Sequence, residues 1–206
     1  MRSVNIYEKI LIDPPYEKIY HRLGFKKKTT EITEQQQAET DLRIREALSF
    51  IELKGCSRRC AINKNDGGRV VIDDHLVFES KKLAGFLRGC REALLMGATA
   101  GSEIMEAIAD QTKKGDLSKT VVYDATASEM TDAALTWLMA YYNNQLRRES
   151  KKLLPRRFSA GYADFKLENQ KTIYRELEMQ KIGVAINSNF ILLPEKSVTA
   201  ITGICG

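Results

Sequence analysis

Histidine is almost absent from this chain of 206 residues, and cysteine is scarce: His21 and His75, then Cys56, Cys60, Cys90 and Cys205. The common zinc modules are excluded, because no Cys-x-x-Cys pair occurs and neither histidine lies at finger spacing from Cys56 and Cys60. No metal site is expected, and the four cysteines are expected to stay unpaired thiols, as a reducing compartment keeps them. Long apolar runs are missing too. None approaches the roughly 20 residues of a membrane span, and Met1-Arg2-Ser3-Val4-Asn5 lacks the apolar stretch of a secretion signal. The expectation is a cytoplasmic protein with no membrane contact.

What is present suits one hydrophobic core. With 43% hydrophobic and 29% charged residues, the composition is that of an ordinary globular domain. The net charge of +5 is a mild excess, carried largely by Lys26-Lys27-Lys28 and the Arg147 to Arg157 region. No stacking-aromatic motif accompanies these cations, so they read as solvated faces and nucleic acid is not expected as a partner.

The pattern along the chain predicts helices first. Asp13-Pro14-Pro15 has the form of a helix start, with Asp13 as N-cap and Gly24 as the stop after Leu23. Thr33 followed by Gln36 has the form of a capping box, opening a helix whose apolar spacing runs toward Gly55. Asn65-Asp66-Gly67-Gly68 between Ala61-Ile62 and Arg69 to Ile72 is a hairpin signal, with Leu76 to Phe78 as a further strand. Ser80 can cap a short helix through Leu87; Ala93 to Met96 reads as a buried strand, and Gly97 to Gly101 as the turn into a helix through Gln111. Ser118 to about Leu153 reads as one long helix stopped by Pro155, and Leu167 to Lys181 as another. Gly183 to Ile186, Phe190 to Leu193 and Ser197 to Ile204 are strand candidates. Together they predict an α+β fold: a single domain over residues 1–206, with long helices packed around a twisted antiparallel β-sheet. Residues 1–55 form its helical N-terminal part and 56–206 its α+β core.

The chemically informative stretch is Arg156-Arg157-Phe158-Ser159-Ala160-Gly161-Tyr162. Small residues at Ser159, Ala160 and Gly161 let a ligand approach the backbone, and Arg157 offers a planar donor fork for a carboxylate. A structural loop, with its Arg paired to a local acid and its Tyr packed on the core, accounts for the same residues. Two other segments are weaker. Asp73-Asp74-His75 starts a cobalt-ligand motif of the form Asp-x-His-x-x-Gly, but Phe78 stands where Gly is required. Met96 to Gly101 lacks the G-x-G-x-x-G of a dinucleotide loop.

Arg157-Phe158-Ser159-Ala160-Gly161-Tyr162 resembles the Arg-x-x-x-Gly-Tyr segment of the reactivation domain of cobalamin (vitamin B12)-dependent methionine synthase. The likeness extends to Ile182 through Phe190, Pro194 and Ser197 to Ala200, which resemble that family's terminal sheet segment. Leu83 to Cys90 and Ala93 to Gly101 are similar to its short stand-alone members. Two places depart from the pattern: Lys151 stands where the family has a second acid, and no counterpart of the family's distal Tyr pair is present.

The resemblance implies an S-adenosylmethionine (AdoMet) site in which Arg157 grips the ligand carboxylate and backbone near Ser159 and Gly161 contacts the ligand. In it Tyr162 faces both AdoMet and the corrin, and Asp132 on the long helix opposes the ammonium or sulfonium charge. It implies a methyltransferase component for methionine biosynthesis with no catalytic side chain of its own. Its role would be reductive methylation of cob(II)alamin held by a separate methionine synthase that lacks its own reactivation domain, or by another corrinoid protein. Flavodoxin or ferredoxin would supply the electron. The alternative is a non-catalytic adaptor that docks on a corrinoid protein without using AdoMet. Since the cobalt-ligand motif is incomplete at Phe78, the isolated protein should purify colourless and show no stoichiometric corrin absorbance; a pink one-to-one complex would contradict this division of labour.

Overall fold

The apolar run Ala93 to Met96 lies at the centre of the molecule, in strand β5 (Glu92–Thr99) of a computed structural model that describes residues 3–25 and 31–206. The Lys26-Lys27-Lys28 run lies outside the described residues. Two long strands flank β5, each antiparallel to it: β2 (Lys54–Asn65), in register from Lys54↔Thr99 to Ala61↔Glu92, and β9 (Ser197–Cys205), from Ser197↔Thr99 to Ile204↔Glu92. Side chains of β5 alternate between two cores, with Leu94, Met96 and Ala98 in one and Ala93 and Leu95 in the other. Burial on both faces makes its sequence a continuous apolar run rather than an alternation.

Around this centre the sheet extends in the order β4-β3-β2-β5-β9-β6, with β3 at Arg69–Ile72, β4 at Leu76–Glu79 and β6 at Lys152–Leu153. A register shift between Ile62 and Lys64 lets β2 turn, so its outer edge pairs first with β1 (Asn5–Tyr7) and then with β3. A separate two-stranded ribbon joins β7 (Ala185–Ile186) to β8 (Leu192–Leu193). Every pairing is antiparallel, and the result is an α+β single domain with a curled sheet.

One face of the sheet is covered by α2 (Glu34–Leu48), α4 (Glu103–Lys113) and α5 (Leu117–Leu146). At 30 residues α5 is about 45 Å long, enough to cross the whole sheet. Beside it lies α1 (Tyr16–Arg22), which buries Ile19 against Val122 and Ala125. The other face is covered by α3 (Lys81–Phe86), α6 (Asn169–Glu176) and the loop between β6 and α6.

Local signals hold where backbone chemistry is local. The Thr33 capping box forms with both hydrogen bonds, Ser80 caps α3 through the Leu83 N–H, and Asn65 to Gly68 turns β2 into β3. Other expectations need correction. Asp13 caps nothing: α1 begins after Pro15, which has no side-chain cap. The helix expected to run toward Gly55 stops at Leu48, because residues from Lys54 onward pair with β5, and β1 also places a strand inside the supposedly helical N-terminal part. The strand continues through Gly97, expected as a turn; a Cβ there would sit 2.9 Å from both the Cys56 Sγ and the Met179 Cε. The long helix ends at Leu146, short of Leu153, because the Asn143 Oδ1 accepts the Leu153 N–H and β6 joins the edge of β9. Cys90 and Cys205, expected as thiols, are disulfide-bonded with Cα atoms 4.6 Å apart. The Glu92↔Ile204 register brings those chain ends together across 115 residues of sequence, a proximity invisible in the linear spacing.

On the far side of the sheet a buried cation ties α6 to the β3–β4 turn. Arg58, on β2 and 5% exposed at its side chain, donates to Asp73 at 2.8 Å and also to Glu176. Asp73 in turn accepts the Ala61 N–H at 2.7 Å. Removing one partner of such a group strands the other charges, so Arg58→Met should lower the free energy of unfolding by about 3–5 kcal/mol, toward the smaller figure since the two acids keep some solvent. Denaturant melts of both proteins check it; a loss below about 1 kcal/mol would mean solvent already screens the cluster.

Candidate functional site

The expected ligand residues lie on two elements that meet at the edge of β9. After β6 the chain runs beside β9 through a bend at Pro155 and Arg156: the Leu154 N–H donates to the Gly203 carbonyl at 2.9 Å, and Phe158 and Ile201 exchange backbone hydrogen bonds at 2.8 Å each. The hydroxyl of Thr202 adds a bond to the Arg156 carbonyl at 2.8 Å. An extended segment alternates its side chains. Arg157 turns toward α5, while Phe158 turns to the opposite face, where its ring stacks on Phe86 at 5.8 Å.

On α5, Asp132, Thr136 and Met139 follow a spacing that puts them on one helical face. All three touch Arg157. One guanidinium nitrogen donates to the Asp132 carboxylate, and the other reaches the Thr136 hydroxyl at 3.4 Å and the Met139 sulfur at 3.9 Å. The Asp132 side chain is 43% exposed and has a second cation nearby, Lys18 of α1 at 3.9 Å. The two residues expected to hold opposite ends of a ligand are therefore paired with each other. Thr136 and Lys18 were not singled out by the sequence; only the four-residue step from Asp132 to Thr136 hinted at the former.

Asp132 also lines a cleft of about 210 Å³ between α1, α5 and the start of β9. Arg22, Ser128, Thr131, Lys196 and Ser197 contribute to its walls. Arg22 is held by Glu129 at 2.6 Å, while Lys196 reaches Asp124 at 2.6 Å and Ser128 at 3.0 Å. Arg157, Ser159, Gly161 and Tyr162 do not line this cleft; Arg157 bounds it only through its pairing with Asp132.

Ser159 is half-buried, and its carbonyl accepts the Tyr162 N–H at 3.4 Å. Gly161 has φ +91° and donates its N–H to the Phe165 carbonyl at 2.7 Å, closing a tight loop. That loop lifts Tyr162 off the surface, 69% exposed. Asp164 anchors it to the start of α3, accepting from the Ser80 hydroxyl at 2.5 Å and the Lys81 N–H at 2.8 Å. The Ser80 hydrogen bond, followed by the backbone N–H groups of Lys82 and Lys81, holds the Asp164 carboxyl below its usual range.

The remaining candidates lie elsewhere. Lys151, the departure from the family acid, belongs to a separate surface network with Glu92 and Glu149, each at 3.1 Å. His75 sits at the β3–β4 turn, with Nδ1 at 2.7 Å from the Asp73 carbonyl and Nε2 at 3.4 Å from Glu176. Cys56 and Cys60 are four residues apart on one strand, roughly 13 Å, and burial pushes each thiol up to about 12.

Fold and site together define an α+β domain with a curled antiparallel sheet, carrying a polar cleft at the junction of a long helix and an edge strand. No family model and no curated protein matches the sequence. Among solved structures the chain is similar to the MetH reactivation domain bound to AdoHcy, with a TM-score of 0.69 and 14% identity over 98% of this chain and 78% of that one. At that identity the likeness establishes the fold. No helix among the described residues is long and apolar enough to cross a membrane.

Gly161→Ala should cost about 1–2 kcal/mol, since an L side chain is strained at positive φ and the new Cβ would lie 3.4 Å from Leu167. A thermal melt checks this. An unchanged midpoint would mean that the loop relaxes freely and does not hold Tyr162 in one place.

Proposed function

We propose that this chain binds AdoMet and supports reductive methylation of cob(II)alamin held by a separate methionine synthase or related corrinoid protein. The carrying observation is the convergence of Arg157 and Asp132 from two distant segments at one cleft edge, in the fold of a domain whose solved structure holds AdoHcy. In that reaction an electron donor such as flavodoxin or ferredoxin reduces the partner's cobalt, which then accepts the sulfonium methyl and leaves AdoHcy. No acid, base or nucleophile is asked of this chain, and its contribution is alignment.

In this reading Arg157 presents its fork to the ligand carboxylate, and Asp132 opposes the ammonium or the sulfonium. Backbone near Ser159 and Gly161 lets the ligand lie close, and the exposed ring of Tyr162 meets the corrin. Arg157 and Asp132 are paired with each other, so in this reading binding exchanges that ion pair for two with the ligand. A half-exposed pair is worth only about 0–1 kcal/mol, so its loss is readily offset by two new charged hydrogen bonds. The exchange favours ligands with both charges of an amino acid, because a ligand lacking either one leaves Arg157 or Asp132 unpaired.

Calorimetry with AdoHcy tests the assignment. Saturable binding is expected, and Arg157→Lys should weaken it about tenfold by removing one arm of a charged hydrogen-bonded pair. Arg156→Lys, in the neighbouring position, should leave it nearly unchanged. Asp132→Asn should weaken AdoMet more than AdoHcy if the carboxylate opposes the sulfonium. Absence of heat with either ligand would favour the adaptor, and equal losses at Arg156 and Arg157 would reduce the site to general charge attraction.

A further inference from the structure

The alternation that turns Arg157 toward α5 gives the same segment a second face. Phe158 stacks on Phe86 of α3 with the ring planes 29° apart, and Arg156 is exposed in the bend just before it. Cations lie on the elements that carry and adjoin that aromatic pair. Lys81 and Lys82 open α3, their backbone N–H groups held by Asp164 of the loop that carries Tyr162. Arg88 and Arg91 follow α3 on either side of Cys90, whose bond to Cys205 brings them beside Lys152, the residue in register with Cys205.

Lys81, Lys82, Arg88, Arg91, Lys152 and Arg156 are all exposed, and among the described residues none has a carboxylate within ion-pair distance. The neighbouring acids are engaged: Asp164 by Ser80 and backbone donors, Glu149 by Arg59 and Lys151, and Glu92 by the same two cations. Glu79, at the end of β4, is the exposed acid left at the margin. A net charge of only +5 does not by itself produce such a face. Glu34, Glu39, Asp41 and Glu46 of α2 and Glu103, Glu106 and Asp110 of α4 lie across the sheet from it.

We infer that this face, built on the reverse side of the Arg157 segment, is a docking surface for a protein that presents a carboxylate-rich patch. Arginine and aromatic side chains are residue types that anchor protein partners, and unpaired cations steer an acidic surface toward them. Single-stranded nucleic acid is the poorer fit, because it needs open aromatic faces and the Phe86 and Phe158 rings cover each other. A partner docked here lies along the segment that ends at Tyr162, so its approach is also the approach to the proposed AdoMet site. The docking surface itself does not depend on that reading.

The test uses poly-L-glutamate as the carboxylate-rich polypeptide and compares two double variants of equal net charge. Lys82→Glu with Arg88→Glu reverses the face, and Lys171→Glu with Arg175→Glu reverses two cations on α6. Fluorescence anisotropy at about 0.05 M salt, where exposed charges still interact over about 14 Å, should show binding of the native chain. Binding should be roughly tenfold weaker in the first variant and within about twofold of native in the second. Circular dichroism confirms that each variant is folded, and AdoHcy titration of both reports the ligand site separately. Equal weakening in both variants, no binding by the native chain, or tighter binding of duplex DNA than of poly-L-glutamate would each overturn the inference. Loss of AdoHcy binding in the native chain would strike the proposed function and leave the docking surface standing.

Discussion

Everything in this molecule hangs on β5 being held between β2 and β9 over its full length. Two eight-residue antiparallel registers leave its backbone no free donor or acceptor along the strand, and both of its faces are buried. Small residues make this close fit possible: Gly97 leaves room for the Cys56 sulfur and Met179, and Gly55 for Ile10. With β5 fixed, β9 has a defined free edge, and that edge decides where the Arg157 segment runs.

The electrostatics of the site follow from α5. Its 30 residues place buried Ala and Leu against the sheet, while Asp132 emerges at the cleft and the buried Glu129 lies one turn before it, each meeting a cation of α1. Arg157 arrives from the opposite side, so the ion pair it forms with Asp132 joins the long helix to the edge strand. A pair this exposed contributes little to stability. By contrast, Arg58 with Asp73 and Glu176 is deeply enclosed and serves the fold, fastening α6 to a turn. Similar charges do different work because solvent reaches them differently.

A short extended segment also does two things at once. Hydrogen-bonded to β9 through Phe158, it sends neighbouring side chains to opposite sides of the sheet edge: Arg157 to Asp132 of α5, and Phe158 to Phe86 of α3. The Gly161 turn and the Asp164 anchor then set Tyr162 at the end of that segment, exposed on a loop tied to the start of α3. A ligand in the cleft and a protein on the face would be close neighbours without sharing a side chain.

The amino-acid sequence by itself determined the features whose physics is local. The capping box at Thr33, the Ser80 cap, the Asn65 to Gly68 hairpin, the doubly buried β5 and the small-residue segment before Tyr162 are written in spacing and backbone preference. Resemblance added the pairing of Arg157 with Asp132 as site candidates. Only the tertiary structure decided the rest. It ended α2 at Leu48 and α5 at Leu146, since strand pairing with β5 and β9 outweighed helical propensity. It joined Cys90 to Cys205 across the sheet, and it set Arg157 against Asp132. Those outcomes depend on contacts between residues 25 to 115 positions apart, whose register is set by the sheet and leaves no periodic trace in the chain.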